Sequence, residues 1–137
     1  MMSIPRSSHH VSLVVQKQLM QVSFPHFQFF KKGNYWLGKL KPTTQSPEYL
    51  IKVRYQEYTA PKVEVILPKL HPNAKHIYPN GSLCLYHPQD HPWRGVNILA
   101  STLVVWTAEW LYCYEVWRAT GEWIGEEAPH SVDKSPV

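Results

Sequence analysis

Cys84 sits in the run Asn80-Gly81-Ser82-Leu83-Cys84-Leu85, a turn signal followed by a short apolar step. Imidazoles flank it in sequence at His76, His87 and His91. A loop thiol in that company can be a nucleophile, a metal ligand or an incidental residue. The spacing His76-x7-Cys84-x2-His87-x3-His91 offers a candidate metal set whose last three members have workable zinc separations. Against it, Pro88 and Pro92 directly follow two of those histidines and restrict the backbone that would wrap an ion. One Cys with three His is also an uncommon structural set. The second cysteine, Cys113, falls at helical spacing among tryptophans, where a thiol behaves as a small hydrophobe and is read as buried and inert.

The elements that must position Cys84 follow from periodicity and turn chemistry. Residues 1–8 read as a polar tail ending at a helix cap, Ser7 or Ser8. Val11, Val15, Leu19 and Val22 recur at helical spacing and predict an amphipathic helix from about His9 to Gln21, closed by Pro25. Tyr35–Lys41, Tyr49–Tyr55 and Lys62–Leu67 read as strands, with Phe27–Phe30 as the start of another. Alternation puts Ile51, Val53 and Tyr55 on one face and Lys52 and Arg54 on the other, and Lys39 and Lys41 repeat the pattern one strand earlier. The sheet should then have an apolar face and a basic face, the latter either solvated or a docking surface.

Between Pro61 and Pro92 lie six of the twelve prolines, a density that excludes regular helix or central strand over most of the stretch. A long ordered loop is expected there, anchored by Ile77, Tyr78, Leu83, Leu85 and Tyr86. Leu103, Trp106, Trp110, Cys113 and Trp117 then step by 3, 4, 3 and 4, the apolar stripe of a helix from about Ile98 to Thr120 that stops at Gly121. Residues 125–137 read as a second polar tail. Helix, antiparallel strands, long loop and helix make an α+β fold, with residues 1–137 forming a single domain.

Composition narrows the function classes. The chain has 137 residues, 44% of them hydrophobic and 13% aromatic, which suits a packed core built from large rings. No apolar run approaches the roughly 18 residues that span a bilayer, and the N-terminus lacks the apolar stretch of a signal peptide. Two cysteines make no disulfide framework, so a cytoplasmic location is expected. Net charge is +4, but residues 1–75 hold 11 basic against 3 acidic side chains and residues 76–137 hold 3 against 7. The positive charge is spread over strands, not clustered among aromatics as nucleic-acid binding would require, and points instead to an acidic partner surface.

Pro61-Lys62-Val63-Glu64-Val65, His71-Pro72-Asn73 and Asn80-Gly81-Ser82-Leu83-Cys84-Leu85, in that order, resemble the core of ubiquitin-conjugating enzymes. Trp93, nine residues after Cys84, looks like the tryptophan that precedes the next helix, and the resemblance covers roughly residues 9–120. The closer resemblance is to the ubiquitin-conjugating-like proteins of bacterial CBASS antiphage operons. It is carried by His76-x-Tyr78 ahead of Gly81-Ser82-Leu83-Cys84-Leu85-Tyr86, by Trp106-Thr107-Ala108-Glu109-Trp110-Leu111, and by Gly121-Glu122-Trp123-x-Gly125.

That resemblance implies the fold of ubiquitin-conjugating enzymes and Cys84 as an acyl-accepting nucleophile, with no cofactor or metal. It implies as partner a cGAS/DncV-like nucleotidyltransferase whose C-terminus takes the place of ubiquitin. The chain has no nucleotide-binding glycine loop, so adenylation, where it is needed, would come from elsewhere, such as a separate activating enzyme. In the eukaryotic pattern the oxyanion-stabilising asparagine lies eight residues before the cysteine, and His76 holds that place here. Asn73 keeps the residue type but lies eleven residues before. His76 is therefore favoured as the oxyanion or positioning group, with Asn73 as the alternative. Asp90 and His91 can orient an acceptor amine, and Lys52 and Arg54 can bind the partner. Glu109, beside the aromatic stripe, is read as a capping or packing residue. Two rivals stand beside the transferase: a non-catalytic adaptor for the nucleotidyltransferase, and a zinc-stabilised binding domain.

Overall fold

In the computed structural model, Ser12 opens the first helix, α1 (Leu13–Ser23), its hydroxyl accepting the Val15 N–H at 3.3 Å. The residues described are 10–56, 59–86, 93–94 and 97–125. The helix thus starts later than the expected His9, with Ser12 in the capping role expected of Ser7 or Ser8. It is also rotated from the expected valine stripe. Val14, Val15 and Val22 are exposed, while Gln16 and Met20 are buried. The Gln16 amide accounts for that rotation. Its Nε2 donates to the Asn97 carbonyl and its Oε1 accepts the Leu99 N–H, both at 2.9 Å. Two backbone groups ahead of the last helix are satisfied by one side chain, which a valine in that place could not do.

Four strands follow as an antiparallel meander in the order β1 (Gln28–Phe30), β2 (Tyr35–Leu40), β3 (Tyr49–Arg54) and β4 (Lys62–Leu67). The expected alternation holds. Ile51 and Val53 face the core with Trp36 and Val63, and Lys52 and Arg54 face away. Gly38 on β2 is required by close approach: an added Cβ would fall 2.2 Å from the ring of Phe27, which is buried over it. The β3–β4 register shifts between Leu50 and Ile51, and a cis Leu67–Pro68 bond follows β4.

The second helix, α2 (Leu103–Thr120), begins five residues after the expected Ile98. The stretch before it is pinned to Gln16, and Thr102 turns back to bond the Ile98 carbonyl through its hydroxyl at 2.6 Å. Gly121 ends the helix in the left-handed conformation at φ 86°, as expected. The helix, too, is rotated. Leu103, Val104, Thr107, Trp110, Leu111 and Tyr114 are its buried residues, whereas Trp106, Cys113 and Trp117 lie half-buried on the flank. Glu115 ties this helix to the sheet, accepting hydrogen bonds from Ser46 Oγ at 2.8 Å and from the Tyr49 hydroxyl at 2.7 Å. No helix among the described residues is long and apolar enough to cross a membrane. The order of helix, antiparallel sheet, long loop and helix is the expected α+β arrangement.

Candidate active site

The proline-rich loop is ordered around a small hairpin. Ile77 and Leu83 form an isolated antiparallel bridge, and Tyr78 and Ser82 pair through the Tyr78 N–H and Ser82 carbonyl at 2.8 Å. The connection is a turn closed by the Gly81 N–H on the Tyr78 carbonyl at 2.9 Å, with Gly81 at φ 93° supplying the left-handed position. Asn80 Oδ1 accepts both the Ser82 N–H and the Ser82 hydroxyl, which stiffens the turn from inside. The Leu83 N–H bonds the Val63 carbonyl at 2.8 Å, hanging the hairpin on β4, and Leu83 itself is buried in the core. Cys84 is thereby fixed through Leu83 and through its own N–H, which bonds the His76 carbonyl.

Burial corrects the expectation for one of the two thiols. Cys84, read as a loop residue, is only 6% exposed, and Cys113, read as core, is half-buried. The rotation of α2 is the cause, since it turns Cys113 from the sheet toward a flanking cavity. Burial pushes the Cys84 thiol up, opposed by a hydrogen bond with the Tyr78 side chain. Its sulfur also lies 4.0 Å from the Tyr86 carbonyl. Cys113 is pushed up by burial and then by the nearby Glu109 carboxylate, against a backbone hydrogen bond from Gly125.

Cys84 lines a cavity of about 710 Å³ whose other walls include Tyr86, Trp106, Glu109, Trp110 and Trp123. Glu109, exposed on α2, is the one acidic side chain among the described lining residues, and the rest of that surface is largely aromatic and apolar. One wall is built by the chain after Gly121, which doubles back along α2. Trp123 lies 4.6 Å from the His76 ring and 5.4 Å from the Trp110 ring, centroid to centroid. Gly125 packs so tightly that a Cβ there would meet Cys113 Sγ at 2.8 Å. The polar tail expected from residue 125 therefore has its first residue packed against α2.

The two candidates for the oxyanion role are placed differently. His76 is buried, adopts φ 61°, and its carbonyl receives both the Cys84 N–H at 2.9 Å and Trp110 Nε1–H at 3.3 Å. A left-handed histidine costs about 1–3 kcal/mol, and those two bonds hold it there. Asn73 is exposed on a separate turn, its N–H on His71 Nδ1 at 3.0 Å. That turn is anchored toward the C-terminal half of α2, where the His71 N–H bonds the Tyr114 hydroxyl and its ring meets Trp117 edge-on. The hairpin brings His76 next to Cys84 through the backbone and leaves Asn73 on another anchor.

Asp90 and His91, with His87, lie outside the described residues. Among the described residues no three His, Cys, Asp or Glu side chains gather as a metal site. Lys52 and Arg54 lie on the outer sheet face, with Lys52 Nζ 4.4 Å from the centre of the Tyr35 ring. Sequence reasoning gave no chemical role to Tyr78 or Trp123. The signal for Tyr78 was present in hairpin periodicity, since residues flanking a bridge on opposite strands share a face.

A family model described as a type II CBASS E2 protein matches residues 16–131, which takes in most of α1, the sheet, the Cys84 hairpin and α2. No curated protein matches the chain.

Proposed function

For a chain that belongs to the type II CBASS E2 family, we propose an acyl-transfer function centred on Cys84. The observation that carries it is the placement of this thiol on a rigid hairpin at the wall of a largely apolar cavity. Thioester chemistry with amines needs positioning and exclusion of water more than a strong base. In the proposed cycle the Cys84 thiol loses its proton to solvent, and the thiolate attacks the activated C-terminal carbonyl of a partner protein; the C–S bond forms as the activating group leaves with its bonding electron pair. An acceptor amine then attacks the thioester; the C–N bond forms, the C–S bond breaks, and the proton shed by the amine restores the thiol. The partner in this reading is a cGAS/DncV-like nucleotidyltransferase, activated by a separate enzyme. In this reading His76, whose carbonyl accepts the Cys84 N–H, serves as the oxyanion or positioning group, with Asn73 as the alternative. Asp90 and His91 would serve the acceptor.

A non-catalytic adaptor is the second reading. It draws on the burial of Cys84, which holds the resting thiol protonated and slow to attack. Intact mass spectrometry with the nucleotidyltransferase and activating enzyme separates the two. A thiol-labile adduct on the wild-type chain that is absent in Cys84→Ala supports the transferase. A non-covalent complex alone supports the adaptor, and an adduct that survives Cys84→Ala removes Cys84 as the nucleophile.

A further inference from the structure

We infer that the Tyr78 hydroxyl is the hydrogen-bond donor that stabilises the Cys84 sulfur as an anion, both as it attacks and as it leaves. The inference rests on the acyl-transfer reading for its chemistry, but its geometry stands independently. In the hairpin, Tyr78 and Cys84 flank the Ile77–Leu83 bridge on opposite strands, so both side chains project from the face opposite those two residues. Such diagonal neighbours stand about 7–8 Å apart, within reach of an aromatic side chain. The phenol and thiol are hydrogen-bonded to each other. Main-chain bonds clamp both partners, Tyr78 to Ser82 at 2.8 Å and Cys84 to His76 at 2.9 Å.

The surroundings make such a donor necessary. A thiolate at this buried position has lost most of its water. The Tyr86 carbonyl that faces the thiol at 4.0 Å can accept a proton's bond but repels an anion. Glu109 on the same cavity wall adds negative charge. Burial and the contact with Cys84 push the Tyr78 phenol above its ordinary range, so it keeps its proton through neutral pH and acts as donor, not base.

The proton stays on Tyr78 throughout. During loading, its O–H holds the thiolate while the carbon–sulfur bond forms and the activating group departs. During transfer, the electron pair of the breaking C–S bond collects on sulfur opposite the same O–H. The proton released by the attacking amine then neutralises the sulfur. Tyr78 therefore touches the reacting sulfur in both half-reactions, whereas the role proposed for His76 concerns the carbonyl.

Tyr78→Phe keeps the ring and removes the donor. In a Cys113→Ala background, which leaves one thiol, alkylation of Cys84 by iodoacetamide is followed against pH. We expect the midpoint to move to higher pH and the rate at pH 7.5 to fall about tenfold, the scale of one lost hydrogen bond to a charged group. Discharge of a preformed Cys84 thioester to free lysine should slow by a similar factor, with partner affinity unchanged. Incorporating 3-fluorotyrosine at position 78, a more acidic phenol in the same packing, should move the alkylation midpoint down. An unmoved midpoint in folded Tyr78→Phe, or in the fluorinated protein if Tyr78→Phe does not fold, overturns the assignment. A shifted midpoint in a protein that never forms a thioester leaves the donor standing and removes the acyl-transfer reading instead.

Discussion

His76 carries two separable duties, and they reside in different atoms. Its carbonyl accepts from the Cys84 N–H and from Trp110 Nε1–H, which is a structural duty independent of the ring. Its imidazole lies against Trp123, and the proposed duty toward the carbonyl of a bound acyl group belongs to that ring. Replacement by alanine keeps the first duty and removes the second, apart from ring packing. We expect His76→Ala to slow single-turnover transfer from a preformed thioester by about 10²–10³, the usual cost of one oxyanion donor. Asn73→Ala, on its exposed and separately anchored turn, should slow it by less than about threefold. The reverse order of the two rates would move the role to Asn73. Two rates within about tenfold of wild type would assign the oxyanion to backbone or partner donors.

Among the elements, α1 owes its orientation to one buried amide. Gln16 is 1% exposed, and both ends of its side chain bond the backbone of residues 97 and 99. Those groups lie just ahead of α2, so the same contact sets where the second helix begins and thus where Trp106 and Trp110 meet the cavity. Gln16→Leu keeps the volume and leaves the Asn97 carbonyl and the Leu99 N–H without that partner. The Leu99 N–H is the buried one of the two, and a buried donor stranded in this way costs about 1–3 kcal/mol, while the part-exposed Asn97 carbonyl can turn to water. Urea unfolding should show a loss in that range at an unchanged slope. A variant as stable as wild type would mean that apolar packing, not the amide, orients the helix.

At the scale of the whole molecule, the uneven charge of the two halves appears as a basic outer sheet face diluted by carboxylates. Lys39 pairs with Glu48 at 3.6 Å, Lys52 stands opposite Glu64, and Arg54 stands opposite Lys62. The Lys62 end of the face is therefore the more positive one. We expect Lys52→Glu with Arg54→Glu to weaken binding of the proposed nucleotidyltransferase partner several-fold at low ionic strength and less in about 0.5 M salt, because exposed charges are screened. Titration calorimetry at the two salt levels measures this directly. Equal affinities for wild type and variant at both levels would identify the face as solvated surface.

Features written into a few neighbouring residues are legible in the sequence itself. Lys62–Leu67 is the strand its sequence predicts, Gly121 ends α2 in the left-handed conformation, and Asn80-Gly81 makes the turn ahead of Cys84. Each depends on alternation, a missing Cβ or a turn preference, which act within a span of a few residues. Helix rotation does not. The α2 sequence is apolar on nearly every side, so the stripe through Cys113 and the one through Thr107 and Leu111 are both possible readings of one periodicity. Only the surface met across the core chose between them, burying Thr107 and Leu111 and turning Cys113 to the flank. In α1 a polar Gln16 displaced the valines from the interior because its partners lie 81 and 83 residues away. Nothing in the sequence between Gly121 and the tail expected from residue 125 says where Trp123 packs, yet it settles on His76 and walls the cavity beside Cys84. Sequence by itself determined the elements and singled out the thiol. Tertiary packing decided which faces are buried and what surrounds the sulfur, because those depend on contacts between residues far apart along the chain.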